Sequence, residues 1–394
     1  MNEPKKATGP LAGVRIVDMT AVGMGPWATQ ILGDMGADVI KVESPDGDIF
    51  RHVTPQRHKG MSHAFLNLNR NKRSVVLDAR LAEDRASLLA LVAQADVFIS
   101  NLRPASLARL GLDYSTLAAE HPRLIYCGCY GYSEAGPYAG RSAVDDTIQA
   151  ASGMAHFQGG ESGTPAYVRS VAADKIAALW VAQAIGFALY AREKSGRGQA
   201  LEVPMFESVT AFMMVEHLAG RAFDPPVGPA GYARVATAAR KPFRTRDGHL
   251  ALVPYTDAQW RRFFDLIGTP EVLGDARFAD VTSRSRHIPE LYAMIEATLL
   301  ARNTAEWVAI FAAADIPFAP VNDVDSLLVD PHLEATGFWQ RDAHPTEGGI
   351  VTPGIPLRFS ATPGNVRRLA PNLGEHTAEV LAEIGQLQVS KEAS

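Results

Sequence analysis

The sequence predicts an α/β protein built on a doubly wound parallel sheet. Three observations carry this: short apolar runs alternate with helical patterns over the first 130 residues, the first two runs flank a helix with a short crossover, and 394 residues exceed what one core organises. Residues 14–19 read as a strand and Gly23-Met24-Gly25-Pro26 as a tight turn. Residues 27–35 have helical apolar spacing, with Gly36 as the stop. Residues 38–43 form the next strand, ended by Ser44-Pro45, which completes a strand–helix–strand unit. The alternation continues with strands at 74–78, 96–101 and 124–129 and helices at 81–94, 105–110 and 114–121.

A long alanine-rich helix is expected over 172–193, buried by its apolar character, then a turn at 195–199, a strand at 200–205 and a helix at 207–220. Residues 223–233, with three prolines and two glycines, read as a linker. Beyond it the texture becomes α+β: a hairpin over 241–254 turning at Arg246-Asp247-Gly248, then helices at 258–266, 288–300 and 304–314. The change of texture therefore divides the chain into 1–222, the linker 223–233, 234–325 and a tail of short elements over 326–394.

Hydrophobic residues make up 47% and charged residues 21%, and the formal net charge is −5. That balance speaks against a nucleic-acid partner, whose binders carry a basic stripe. The only cysteines, Cys127 and Cys129, are too close along a strand for an unstrained disulfide, which fits a reducing cytoplasm. The polar start lacks a signal-peptide core, and no unbroken apolar run reaches about 18 residues, so neither secretion nor a membrane partner is expected. His52, His58 and His63 lie near one another in sequence without an acid at ligand spacing, so no metal is expected.

Gly23-Met24-Gly25-Pro26-Trp27-Ala28 fits G-x-G-x-x-A between a strand and a helix, and Glu43 ends the next strand. This is the layout of a nicotinamide-dinucleotide fingerprint. It raises an NAD-dependent dehydrogenase as a rival, although such a turn brings amides to many polar ligands.

Longer stretches point elsewhere. Residues 10–18 (PLAGVRIVD), 32–43 (LGDMGADVIKVE), 69–74 (NRNKRS) with Leu77-Asp78, 96–101, 195–199 and 374–377 resemble, in order, the class III CoA-transferases, the CaiB/BaiF-type family of formyl-CoA and carnitine CoA-transferases. The resemblance implies a large Rossmann-like domain with a smaller α+β domain inserted, an interlocked homodimer, and an active site between domains. It implies no metal and no permanently bound cofactor, with a coenzyme A thioester as substrate.

On the sequence alone, Asp174 at a helix start reads as an N-cap. By resemblance it takes the place of the family's nucleophile, which attacks the thioester carbonyl to give an anhydride and then an aspartyl-CoA thioester. The resemblance further places Val22, Gly23 and Met24 at the pantetheine arm or thioester and Leu77, Asp78, Ala79 and Arg80 at the adenine. Asn101, Leu102 and Arg103 take a second nucleotide-contacting turn, and Arg109 a place near the CoA phosphates. The chain departs from formyl-CoA transferase with Gly23 for a glutamine, Ser44 for a basic residue and Asp145 for a tyrosine. α-Methylacyl-CoA racemases share the family, but Val144 stands where they have the proton-carrying histidine. Arg169, Arg234 and Arg240 are candidates to hold a second carboxylate, which points to a dicarboxylate such as succinate as donor.

Overall fold

A computed structural model describes residues 6–160 and 163–392. The chain divides into two compact units. The first comprises Met1–Ala155, Tyr167–Met213 and Ala335–Ser394, and the second His156–Ala166 with Met214–Glu334. By this division residues 214–233, including the proline-rich stretch read as a linker, belong to the second unit, and 326–334 do as well.

The first unit is built on six strands: β1 (Arg15–Met19), β2 (Asp38–Glu43), β3 (Lys72–Val76), β4 (Val97–Ser100), β5 (Ile125–Tyr130) and β6 (Ala200–Pro204). All pair in parallel, in the order β3-β2-β1-β4-β5-β6. Side chains alternate between two cores, as the two-residue strand period demands. Ile16, Val39, Ile99, Cys127 and Cys129 face one, against the helices Met24–Asp34 and Ala172–Ser195. Val17, Ile40, Phe98 and Tyr126 face the other, with Leu88, Leu91, Leu107 and Leu117. The C-terminal helix Thr377–Glu392 closes this second face: Val380 and Ile384 join its core, and Glu383 pairs with Arg73 at 2.6 Å.

The strand predicted at 74–78 begins at Lys72. The structure neutralises the two cations that made its start look like a loop: Lys72 bonds Asp18, and Arg73 bonds Asp38, Glu379 and Glu383. The long helix Ala172–Ser195 is, by length and composition, apolar enough to cross a membrane, although no unbroken apolar run of that length exists. One stripe of it (Ala173, Ala177, Val181, Ile185, Leu189) is core of the first unit, and it ends at Gly196 with φ +72°.

The second unit holds a three-stranded antiparallel sheet (Phe243–Arg244, His249–Leu252, Phe318–Pro320) and helices packed on an aromatic core of Trp260, Phe263, Phe264, Trp307 and Phe311. The predicted turn is present, with Thr245 N–H donating to the Gly248 carbonyl at 3.0 Å.

Candidate active site

The sheet order reverses between β1 and β4. In such sheets the loops leaving these two strands diverge and open a crevice at the strands' carboxyl ends, the usual place for a ligand. Here Asn101, just after β4, closes the floor of that crevice. Its Nδ2 donates to the Ala21 carbonyl at 2.9 Å and its Oδ1 accepts from Ala21 N–H at 3.2 Å. Above this lies a cavity of about 390 Å³ whose walls include Val22, Gly23, Arg103, Arg141, Asp145 and Asp174.

The turn after β1 is held in an unusual shape. Val22 has φ +74°, a left-handed conformation that costs a β-branched residue strain. A buried charge network holds it there. Asp48 accepts from Val22 N–H at 3.1 Å and from Lys41 Nζ at 3.0 Å; Lys41 also donates to the Thr20 carbonyl at 2.8 Å. Beneath, Lys72 Nζ donates to Asp18 at 3.1 Å, and Asp18 accepts from Thr20 N–H at 2.8 Å. Burial alone would raise the Asp18 carboxyl, but Lys72 and Lys41 outweigh it and hold it down at about 2. Desolvation lowers the Lys72 ammonium to about 8.

Asp174 stands across from this turn. It is the third residue of the long helix, whose N-cap is Val171, so Asp174 is not itself the cap. It is only 6% exposed, and among the described residues nothing donates a hydrogen bond to its carboxylate. Its carboxylate lies against Gly23, where a Cβ would come within 2.5 Å of Oδ2. Only glycine admits that approach. Asp174 N–H donates to Asp145 Oδ1 at 3.0 Å. Desolvation first, and the charge of Asp145 second, raise the Asp174 carboxyl to about 7.

Of the residues singled out in the sequence, the structure gathers Val22, Gly23, Met24, Asn101, Arg103 and Asp174 around this one cavity. It does not gather the rest. Leu102 is exposed beside it. The Leu77 side chain is in the core of the first unit. Asp78 and Arg80 pair with each other at 2.7 Å in the loop after β3, with Ala79 between them, and Arg109 is exposed, donating to Ser106 Oγ at 3.1 Å. The sequence reading missed the support network. Its signal was present: Lys41 sits inside the apolar run of a central strand, where an unpaired charge would be prohibitive.

The dinucleotide reading fails at Glu43. That carboxylate is buried, accepting from Arg51 Nε and Nη2 at 2.8 Å each and from Ser74 Oγ at 2.7 Å, so it is not available to ribose hydroxyls. Among the described residues no grouping of three His, Cys, Asp or Glu side chains suits a metal ion.

Fold and cavity together define an α/β protein with a largely buried carboxylate lining a cavity at the switch point of a parallel sheet. The sequence model of CoA-transferase family III matches residues 11–377, and the chain belongs to that family. A succinate–glutarate CoA-transferase of Agrobacterium fabrum is 34% identical over 392 residues, covering 96% of each chain. A formyl-CoA:oxalate CoA-transferase of Shigella sonnei is 31% identical over 95% of this chain and 96% of its own. A crystal structure of a CaiB/BaiF family protein from Brucella suis superposes with a TM-score of 0.82 at 31% identity, over 96% of this chain and all of the other. The protein is thus a family III CoA-transferase.

Proposed function

We propose that the enzyme moves coenzyme A from an acyl-CoA donor to a free carboxylic acid, with Asp174 as nucleophile. One Asp174 oxygen attacks the thioester carbonyl, the C–O bond forms as C–S breaks, and CoA leaves as thiolate. The thiolate then attacks the aspartyl carbonyl of the mixed anhydride, releasing the donor's carboxylate and leaving an aspartyl-CoA thioester. The acceptor acid reverses these steps. The supporting observation is a largely buried carboxylate to which, among the described residues, nothing donates a hydrogen bond, placed against the glycine turn and facing the cavity.

The turn has a second use. It begins the helix Met24–Asp34, whose Gly23 N-cap carries no side-chain cap. The free amides at that helix start lie beside Asp174 and suit the developing oxyanion. The remaining contacts follow the carboxyl rim of the sheet. Val22, Gly23 and Met24 take the thioester end, Asn101, Leu102 and Arg103 the adjacent loop, and Leu77, Asp78, Ala79 and Arg80 the adenine. The loop after β3 lies two strand spacings from β1, about 10 Å, a span that extended CoA covers. Arg109 meets phosphate.

The acid substrate is a dicarboxylate. The succinate–glutarate and oxalate relatives favour this, as do Arg234 and Arg240, which line a cavity of about 490 Å³ in the second unit with Tyr232 and Tyr255. The second unit serves as the small inserted domain of an interlocked, cytoplasmic homodimer. An exposed apolar face of the long helix (Leu179, Trp180, Phe187 and Tyr190) supports a partner subunit. The racemase reading has no support at Val144, which is exposed and carries no proton.

Paired panels of acyl-CoA donors and free acids, read by mass spectrometry, test the activity. Trapping with hydroxylamine during turnover should modify the peptide that contains Asp174, and Asp174→Ala should bind CoA without exchange. Failure of every pair to exchange, or an unmodified peptide during turnover, overturns the reading.

A further inference from the structure

The structure puts Asp145 in contact with the backbone of Asp174. It is the first residue of the helix Asp145–Ala151 and is 8% exposed. One oxygen accepts the Asp174 N–H at 3.0 Å. The other accepts from Gln149 Nε2 at 2.6 Å. Gln149 in turn latches the segment leading to Asp174: its Oε1 accepts from Val168 N–H at 2.9 Å and its Nε2 donates to the Ser170 carbonyl at 3.2 Å. The long helix has no side-chain cap at Val171, so Asp145 satisfies from outside an amide its own N-cap leaves free.

We infer that Asp145 is a positioning residue for Asp174, fixing where the nucleophile stands and making its free carboxylate costly relative to its acylated forms. The inference rests on Asp174 being the nucleophile. The physical argument concerns charge. Two carboxylates in one dry wall repel, so the ionised Asp174 is disfavoured. When Asp174 becomes an anhydride or a thioester it carries no charge and the repulsion vanishes. The negative charge departs on the CoA thiolate or the released acid. Asp145 therefore favours the covalent intermediates by acting on Asp174, through the hydrogen bond to its amide and the charge beside its carboxylate. The direction agrees with the raised Asp174 carboxyl.

The other charged groups on the cavity wall are Glu134, Arg103 and Arg141, with the phenols Tyr130 and Tyr132. Asp146 is exposed on the same helix as Asp145. Lys175, next to Asp174, directs its ammonium to Ser170 Oγ. The turn at Val22, Gly23 and Met24 contributes no ionisable side chain.

Asp145→Asn keeps an acceptor for the Asp174 amide and removes the charge, whereas Asp145→Ala removes both. In the wild type, kcat/KM for exchange should rise with pH through about 7 as Asp174 ionises. In Asp145→Asn that rise should move at least about one pH unit lower. Its plateau should fall roughly tenfold, because a less basic carboxylate is a weaker nucleophile. Asp145→Ala should lose considerably more rate. Independently of activity, 13C-carboxyl NMR of the free protein, assigned with Asp174→Asn, should show the Asp174 titration moving down in Asp145→Asn. Superimposable pH profiles and titrations in wild type and Asp145→Asn, or an Asn variant no better than Ala, would overturn the inference. If the wild type exchanges no CoA, the functional reading falls, while the NMR titration still judges Asp145.

Discussion

At Gly23 the lack of a side chain is what lets the Asp174 carboxylate stand where it does. Gly23→Ala places a methyl carbon within 2.5 Å of Asp174 Oδ2, so the carboxylate must turn away. A displacement of about 1 Å at a reacting atom costs on the order of 10² in rate. We expect steady-state exchange to fall by about that factor with the circular dichroism spectrum unchanged, and a fully active Gly23→Ala would show that the carboxylate does not work from this place. Asp174 also carries a stability signature. Burial first, and the charge of Asp145 second, push its carboxyl up to about 7 in the folded state, against 3.8 as the ordinary value. The native state thus holds a proton that the unfolded chain has lost, and stability must decline as pH rises from about 4 to about 7. Asp174→Asn removes the decline. Urea unfolding should find the variant more stable than wild type at pH 8, by up to about 1.4 kcal/mol per pH unit of the displacement, with the gap closing toward pH 4. Equal midpoints at both pH values would contradict the burial of the charge. Asp174 itself was legible in the sequence only through family resemblance, because an acid at a helix start reads first as a cap. The cap reading falls because Val171 is the N-cap, while the long-range meeting of Gly23, Asp145 and Asp174 is something no local pattern encodes.

At the scale of elements, the strand–turn–helix from Arg15 to Asp34 depends on charges buried in the neighbouring strand β2 and the loop after it. Lys41 touches Asp48 and the Thr20 carbonyl and is fully buried. Lys41→Met leaves Asp48 without its cation, and breaking such a pair on one side costs about 3–5 kcal/mol. The Asp48 bond to Val22 N–H should loosen with it, so we expect lower thermal stability together with a raised KM for acyl-CoA. A Lys41→Met enzyme with wild-type Tm and KM would sever the network from the turn. The regular elements here were readable because strand periodicity and glycine stops are local signals. β3 was entered two residues late in the sequence reading because Lys72 and Arg73 look like solvent residues until Asp18, Asp38, Glu379 and Glu383 are brought to them. The helix His63–Leu68 went unread for a related reason, being too short for helical periodicity to show.

At the scale of the molecule, the long helix carries the question of assembly. Its inner stripe is core, yet Phe187 and Tyr190 are 65% and 63% exposed on its outer side. Light scattering should give twice the 42.4 kDa chain mass, and Phe187→Asp with Tyr190→Asp should shift the mass toward one chain. A wild-type protein that runs as a single chain would remove the homodimer. The change of texture after residue 223 was visible in composition. The contribution of residues 335–394 to the first unit was read from resemblance, since it is made by packing between segments 300 residues apart, such as Arg73 with Glu383.

That late contribution has a consequence for biosynthesis. The six strands leave the ribosome by residue 204, but the helix that seals Leu88 and Leu91 from water, through Val380 and Ile384, is translated much later. For the time needed to synthesise some 170 more residues, one greasy flank of the nascent sheet stays open to chaperones or to other chains. A message truncated shortly before codon 377 would release a product with that flank permanently bare, marked for proteolysis although every residue lining the Asp174 cavity had been made.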